Sequence, residues 1–163
     1  MEIDLKELYE LQAGLDLDIA NKHGVTYEST HSRRLLALIV ELGELANETR
    51  CFKYWSNKGP SEKAVVMDEY ADGLHFLLSL GIPLHARKYK YELKGTGEDL
   101  TLQFHHLYQA ATRLLNDYTL EAYEDCFQKY LNLAVDLGAT AIDVVDAYKS
   151  KLAVNYHRQE TNY

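Results

Sequence analysis

The sequence predicts an all-α fold, a single-domain helical bundle of about six helices, and three observations predict it. A chain of 163 residues with 47% apolar content is long enough to bury one substantial core. Two prolines and nine glycines leave few points at which a helix must end. Apolar residues then recur at helical spacing through segment after segment.

Residues 3–22 place Ile3, Leu5, Leu8, Leu11, Leu15 and Ile19 at intervals of two to four, a helix with a core-facing stripe closed by Gly24. In the loop 25–31, Ser29 or Thr30 is expected to cap the next helix. That helix, 32–50, reads SRRLLALIVELGELANETR. At ~100° per residue its leucines, Ile39, Val40 and Ala46 cover more than half the cylinder, leaving a stripe for Arg34, Glu41, Glu44 and Glu48. A helix apolar nearly all round is buried, so the acidic stripe is expected to line a cleft. Asn57, Gly59 and Pro60 mark a turn, and Ser61 is expected to cap a second acidic helix over 62–80, stopped by Gly81-Ile82-Pro83.

Residues 84–99 are polar and aromatic without a clear period, and Gly95 and Gly97 make them the expected mobile segment. Helical spacing resumes over 100–116 through Leu102, Leu107, Ala111 and Leu114. Asp117-Tyr118-Thr119 supplies a break and a cap, 119–137 continue to Gly138, and 140–157 form the last helix.

The charge balance, 17 basic against 25 acidic residues, argues against a general nucleic-acid or anionic-membrane binder, which depends on cations for phosphate. It does not exclude a small phosphorylated ligand, because a bound divalent metal inverts the local charge. The first ten residues carry charges from position 2 and no apolar signal region, and no run approaches the ~18 apolar residues of a membrane span. With Cys51 and Cys126 read as reduced structural thiols, a cytoplasmic protein is expected.

Two constellations carry chemistry. Glu41-x-x-Glu44 and Glu69-x-x-Asp72 each place two carboxylates on one helix face. Either pair alone reads as a solvated surface. Two pairs on neighbouring helices, each set in an apolar run, read as a site for Mg²⁺, which takes a few carboxylates and fills its other positions with water and phosphate. Lys151, Asn155 and Arg158 fall at i, i+4 and i+7 of the last helix, a row that is either an ordinary cationic helix end or a phosphate contact.

ELGELANETRCFKYW followed by DEYADGLHFLLSLG resembles the dimeric all-α dUTPases, relatives of the MazG-type nucleoside triphosphate pyrophosphohydrolases. LYELQAGLD at 8–16 is similar to that family's Q-x-x-L-D/N motif, and YKSKLAVNYHRQETNY at 148–163 to its closing K-x-x-x-N-x-x-R-Q segment. The family usually closes on Gly-Tyr where this chain has Asn162-Tyr163. The resemblance implies a homodimer that hydrolyses dUTP to dUMP and pyrophosphate, with two or more Mg²⁺ ions for which Mn²⁺ can substitute. It implies Glu41, Glu44, Glu69 and Asp72 as metal ligands, with Glu41 or Glu44 also taking the water's proton. Lys53, Lys151, Asn155 and Arg158 would then hold phosphate. Gln12, Asp16, Trp55 and Phe76 would hold the base, and His75 would be a supporting group. Which phosphorus is attacked, and whether dUDP also serves, stays open at this level.

Three other readings compete. A MazG-like pyrophosphohydrolase with another base preference would share the carboxylates. A di-iron bundle could use Asp72-x-x-His75 and Glu28-x-x-His31, but Glu28 precedes the expected cap and should not converge with the rest. The third is a binding protein: a helical module that merely retains the scaffold, or a dUTPase that also docks a regulatory protein through residues 84–110.

Overall fold

A computed structural model describes all residues, 1–163, and contains six helices and one two-stranded sheet. In chain order the elements are β1 (Glu2–Asp4), α1 (Lys6–His23), α2 (Tyr27–Thr49), α3 (Lys63–Gly81), β2 (Lys90–Glu92), α4 (Leu100–Arg113), α5 (Leu120–Asp136) and α6 (Ala141–Glu160). The expected all-α bundle is the architecture found.

Helix α3 is its axis. Twelve of its nineteen residues are buried, because α1, α2, α5 and α6 all pack on it. A helix enclosed on so many sides must be apolar nearly all round. Its polar residues Asp72, His75 and Ser79 mark where a cavity opens. At Gly73 an added Cβ would overlap the ring of Tyr130, whose hydroxyl donates to Tyr70 O over 2.6 Å. The glycine is the condition for that close approach.

Several boundaries differ from the sequence expectation. The first three residues of the expected 3–22 helix belong instead to β1 or its exit, and Ile3 faces the core opposite Tyr91 in an antiparallel pair. Glu-Ile-Asp and Lys-Tyr-Glu each alternate exposed, buried, exposed, a period of two that three residues barely display. The segment 84–99 is consequently anchored: Ala86, Tyr91 and Leu93 are buried, and Asp136 accepts from Thr96 N over 2.8 Å. Helix α2 starts five residues earlier than expected, because Thr26 and Ser29 form a reciprocal capping box. Ser61 caps nothing; its hydroxyl donates to Glu48, and α3 begins without a side-chain cap. Nor is α2 buried all round, since Leu36 and Val40 stand 61% and 51% exposed.

Gly24 closes α1 in the left-handed conformation, and Thr119 caps α5, as expected. Both cysteines are free thiols; Cys126 is buried, and burial pushes its thiol up to about 12. No helix is long and apolar enough to cross a membrane.

Candidate active site

Between α1, α2, α3 and α6 lies a cavity of about 730 Å³, within the range of sites that enclose a small molecule. Glu41 and Asp72 line one part of it, Gln12, Asp16 and Phe76 another, and Asn155 and Arg158 a third. Most of the residues singled out from sequence thus meet around one space.

The carboxylates come from two helices. Glu41, Glu69 and Asp72 each offer an oxygen, all within 4.8 Å of one another. Burial raises the pKa of all three first; neighbouring carboxylates raise Glu41 and Glu69 further, whereas at Asp72 Lys151 opposes the rise. Glu41 responds most: burial, then Glu44 and the charges of Asp72 and Glu69, push it up to about 8. Its Oε2 is buried with no hydrogen-bond partner. An acceptor orphaned among like charges is what a hard divalent cation would satisfy, so the residues fit one. Glu44 is the outlier of the four: it is exposed and stands outside the group of three, although it bears on Glu41.

Lys151 is placed differently from the expectation of a phosphate contact. It is 5% exposed, does not line the cavity, and sets Nζ 2.9 Å from Asp68 Oδ2 and 3.1 Å from Asp72 Oδ2. Helical spacing put it on the right face of α6, but the end of its long side chain turns to the carboxylates of α3. Asn155 and Arg158 do face the cavity, and the Arg158 guanidinium lies 4.8 Å from the ring of Tyr163.

At the other end, Gln12 is 3% exposed and its amide is fixed. Oε1 accepts from Tyr148 OH over 3.0 Å and lies 2.7 Å from His75 Nδ1, while Nε2 donates to Asp16 Oδ1 over 2.9 Å. Burial pushes His75 down to about 4, so the ring is neutral. Its single proton serves either Gln12 Oε1 from Nδ1 or the Tyr148 carbonyl, 3.3 Å from Nε2. Gln12 Oε1 already accepts from Tyr148 OH, and its Nε2 keeps one N–H beyond the bond to Asp16. Asp16 accepts three hydrogen bonds, the others coming from Ser79 Oγ and Tyr27 OH. His75, stacked on Tyr148 at 4.2 Å, lies behind Gln12 and touches its amide oxygen.

Trp55 and Lys53 do not line this cavity. Trp55 is 64% exposed beside Phe52 and Tyr54, and Lys53 Nζ lies over the ring of Phe52 at 5.8 Å. Helical periodicity ends before both, so spacing could not aim them. Tyr27, Arg34 and Ser79 do line the cavity and were not foreseen as site residues. Two had a signal: Arg34 precedes Glu41 by seven residues and Ser79 follows Asp72 by seven, each on its partner's helix face.

The di-iron reading fails on position. Glu28 lies inside α2, not before its cap, so the expected reason for excluding it does not hold. His31, however, packs at a tilt against Tyr118, ring centres 4.1 Å apart, and joins neither Asp72 nor Glu41 in an acidic group.

A family model described as dUTPase matches residues 4–163. The chain belongs to the dUTPase family. No curated protein matches it. Membership makes it an enzyme of the dUTP diphosphatase type, acting on a nucleotide with a divalent metal, and Glu41, Glu69 and Asp72 form a carboxylate cluster of a kind that could hold one.

Proposed function

We propose that this dUTPase hydrolyses dUTP to dUMP and pyrophosphate with Mg²⁺, at the cavity between α1, α2, α3 and α6. The observation that carries the reading is the meeting, around one cavity, of the carboxylates Glu41 and Asp72 with the polar pair Gln12 and Asp16. Glu41, Glu69 and Asp72 would hold the metal, with Glu44 joining from the exposed side; a second ion and Mn²⁺ fit the same oxygen donors. Bound Mg²⁺ supplies phosphoryl polarisation and a water of lowered pKa.

The chain's own residues do the rest. Arg158 presents its fork and Asn155 its amide toward the triphosphate. Glu41, a carboxylate beside the proposed metal position, is the proposed acceptor of the water's proton. Lys151 orients Asp72 and limits its charge, so its part in phosphate binding is indirect. Gln12 donates to a base carbonyl and Asp16 accepts the N3–H of uracil, while cytosine would set a lone pair against that carboxylate. Phe76 offers a ring to the base; base–aromatic stacking contributes about 1–3 kcal/mol.

A homodimer is part of this reading. Leu36 and Val40 leave an apolar strip on α2 that a second copy would cover. Because Lys53 and Trp55 stand off their own cavity, their contacts with phosphate and base would be made to the partner copy's nucleotide. We place the enzyme in the cytoplasm and assign it no nucleic-acid or membrane partner, in keeping with its net charge of −8.

Pyrophosphate release from dUTP, dTTP, dCTP, UTP and dUDP, with Mg²⁺, tests the proposal. Strong preference for dUTP is expected. Equal turnover of several bases would move the enzyme to the broader MazG-like group.

A further inference from the structure

The polar groups behind Asp16 form a directed chain that ends on one oxygen. Arg34 Nη1 lies 3.3 Å from Ser79 Oγ, and a guanidinium only donates. The Ser79 hydroxyl therefore sends its proton the other way, to Asp16 Oδ2 at 2.8 Å. Tyr27 OH donates to the same Oδ2 over 3.0 Å. Arg34 is itself fixed: Nη2 donates to Tyr27 O over 2.8 Å, Nε donates to Thr30 Oγ1 over 3.0 Å, and its guanidinium covers the Tyr27 ring at 4.9 Å. With Oδ2 holding two donors and Oδ1 only one, from Gln12, the spare acceptor capacity of Asp16 lies on Oδ1.

We propose that Tyr27 and Ser79, the latter set by Arg34, are specificity-determining positioning residues that keep Asp16 an ionised acceptor aimed at the base. The inference rests on the proposed role of Asp16 in reading uracil. Carboxylates hold their charge when donors surround them and lose it when burial dominates. Burial already pushes Asp16 up, and Ser79, Gln12, Tyr27 and then Arg34 oppose it. The groups facing Asp16 are Gln12 from α1, Tyr27 and Arg34 from α2, Ser79 from α3, and Tyr148 from α6, which feels its charge. Removing one donor lets the proton stay on Asp16 to higher pH. A protonated Asp16 can donate to the cytosine N3 that its carboxylate repels.

The test compares kcat/KM for dUTP and dCTP from mildly acidic to mildly alkaline pH in the native enzyme, Tyr27→Phe, Ser79→Ala and Asp16→Ala, the last of which removes the acceptor altogether. A ¹³C titration of the Asp16 carboxyl runs alongside. We expect the dUTP preference to fall at least about tenfold in Tyr27→Phe at the acidic end, as loss of a hydrogen bond to a charged group would give. It should recover as pH rises, with the Asp16 titration displaced upward and the loss lying in KM more than kcat. Ser79→Ala should behave alike and Ser79→Thr should restore the preference. A preference lost equally at every pH, or an unmoved Asp16 titration in folded Tyr27→Phe, would overturn the proposal. If Asp16→Ala abolishes the preference while both donor variants keep it, the positioning role fails and the base-reading role stands. If Asp16→Ala keeps the preference, the base-reading role fails and this inference with it.

Discussion

Lys151 Nζ, on α6, stands 3.1 Å from Asp72 Oδ2, on α3, and no other cation is as close to the proposed metal ligands. Lys151 is 5% exposed, and its removal leaves Asp72 among Glu41, Glu69 and Asp68 with only the more distant charge of Arg158 to offset them. Breaking a buried pair on one side costs about 3–5 kcal/mol. Lys151→Met should accordingly lower stability by about 3 kcal/mol in chelator, and Mg²⁺ should recover part of it. Asp68→Asn should cost under about 1 kcal/mol, because Asp68 is exposed. Urea unfolding with and without metal checks both.

Glu41 links metal binding to protons. Its ordinary value of 4.5 rises to about 8 in the fold, chiefly through burial. A carboxyl raised in this way contributes stability in full below about pH 4.5, and that stability is lost as pH rises through about 8. A cation must displace the retained proton. Calorimetry in buffers of different ionisation enthalpy should find close to one proton released per bound Mg²⁺ near neutral pH, less at alkaline pH, and none in Glu41→Gln.

His75 titrates in the opposite sense. Burial lowers it from 6.5 to about 4, so its contribution is complete above about pH 6.5 and is lost as pH falls toward about 4. The full span corresponds to on the order of 3 kcal/mol. In His75→Phe, the slope of stability against pH in that window should flatten, as chemical denaturation at several pH values would show.

Gly73 sets the distance between α3 and α5. Replacement by alanine gains about 1 kcal/mol of helix propensity, but the new Cβ meets Tyr130, which is held by stacking on Tyr70 at 4.4 Å and cannot withdraw. Gly73→Ala should lose about 1–3 kcal/mol net. Gly59→Ala, where a Cβ meets nothing within 4 Å, should be neutral in the same thermal melts.

What the sequence made legible follows from periodicity. Glu41, Glu69 and Asp72 sit within helices whose apolar repeats fix which way each carboxylate points, so spacing alone brought them together. The same rule set Asn155 and Arg158 on one face of α6, but the family resemblance, not spacing, made that row a phosphate contact. Lys151 defeated it because periodicity orients Cβ and says nothing of where a four-carbon stem ends. Trp55 lies past the end of α2, and β1 and β2 are three residues each with partners far apart in sequence, so neither carried a repeat long enough to read. The fixed amide of Gln12 depends on Tyr148 and His75 from two other helices, a relation present only in three dimensions.

The most direct test of the carboxylate centre is the initial rate of pyrophosphate release from dUTP against Mg²⁺ concentration, for the native enzyme and Glu41→Gln. Saturable dependence on Mg²⁺, no rate in chelator, and a loss of about 10²-fold or more in the variant are predicted. Turnover that persists in chelator, or native rates from Glu41→Gln, would contradict the account.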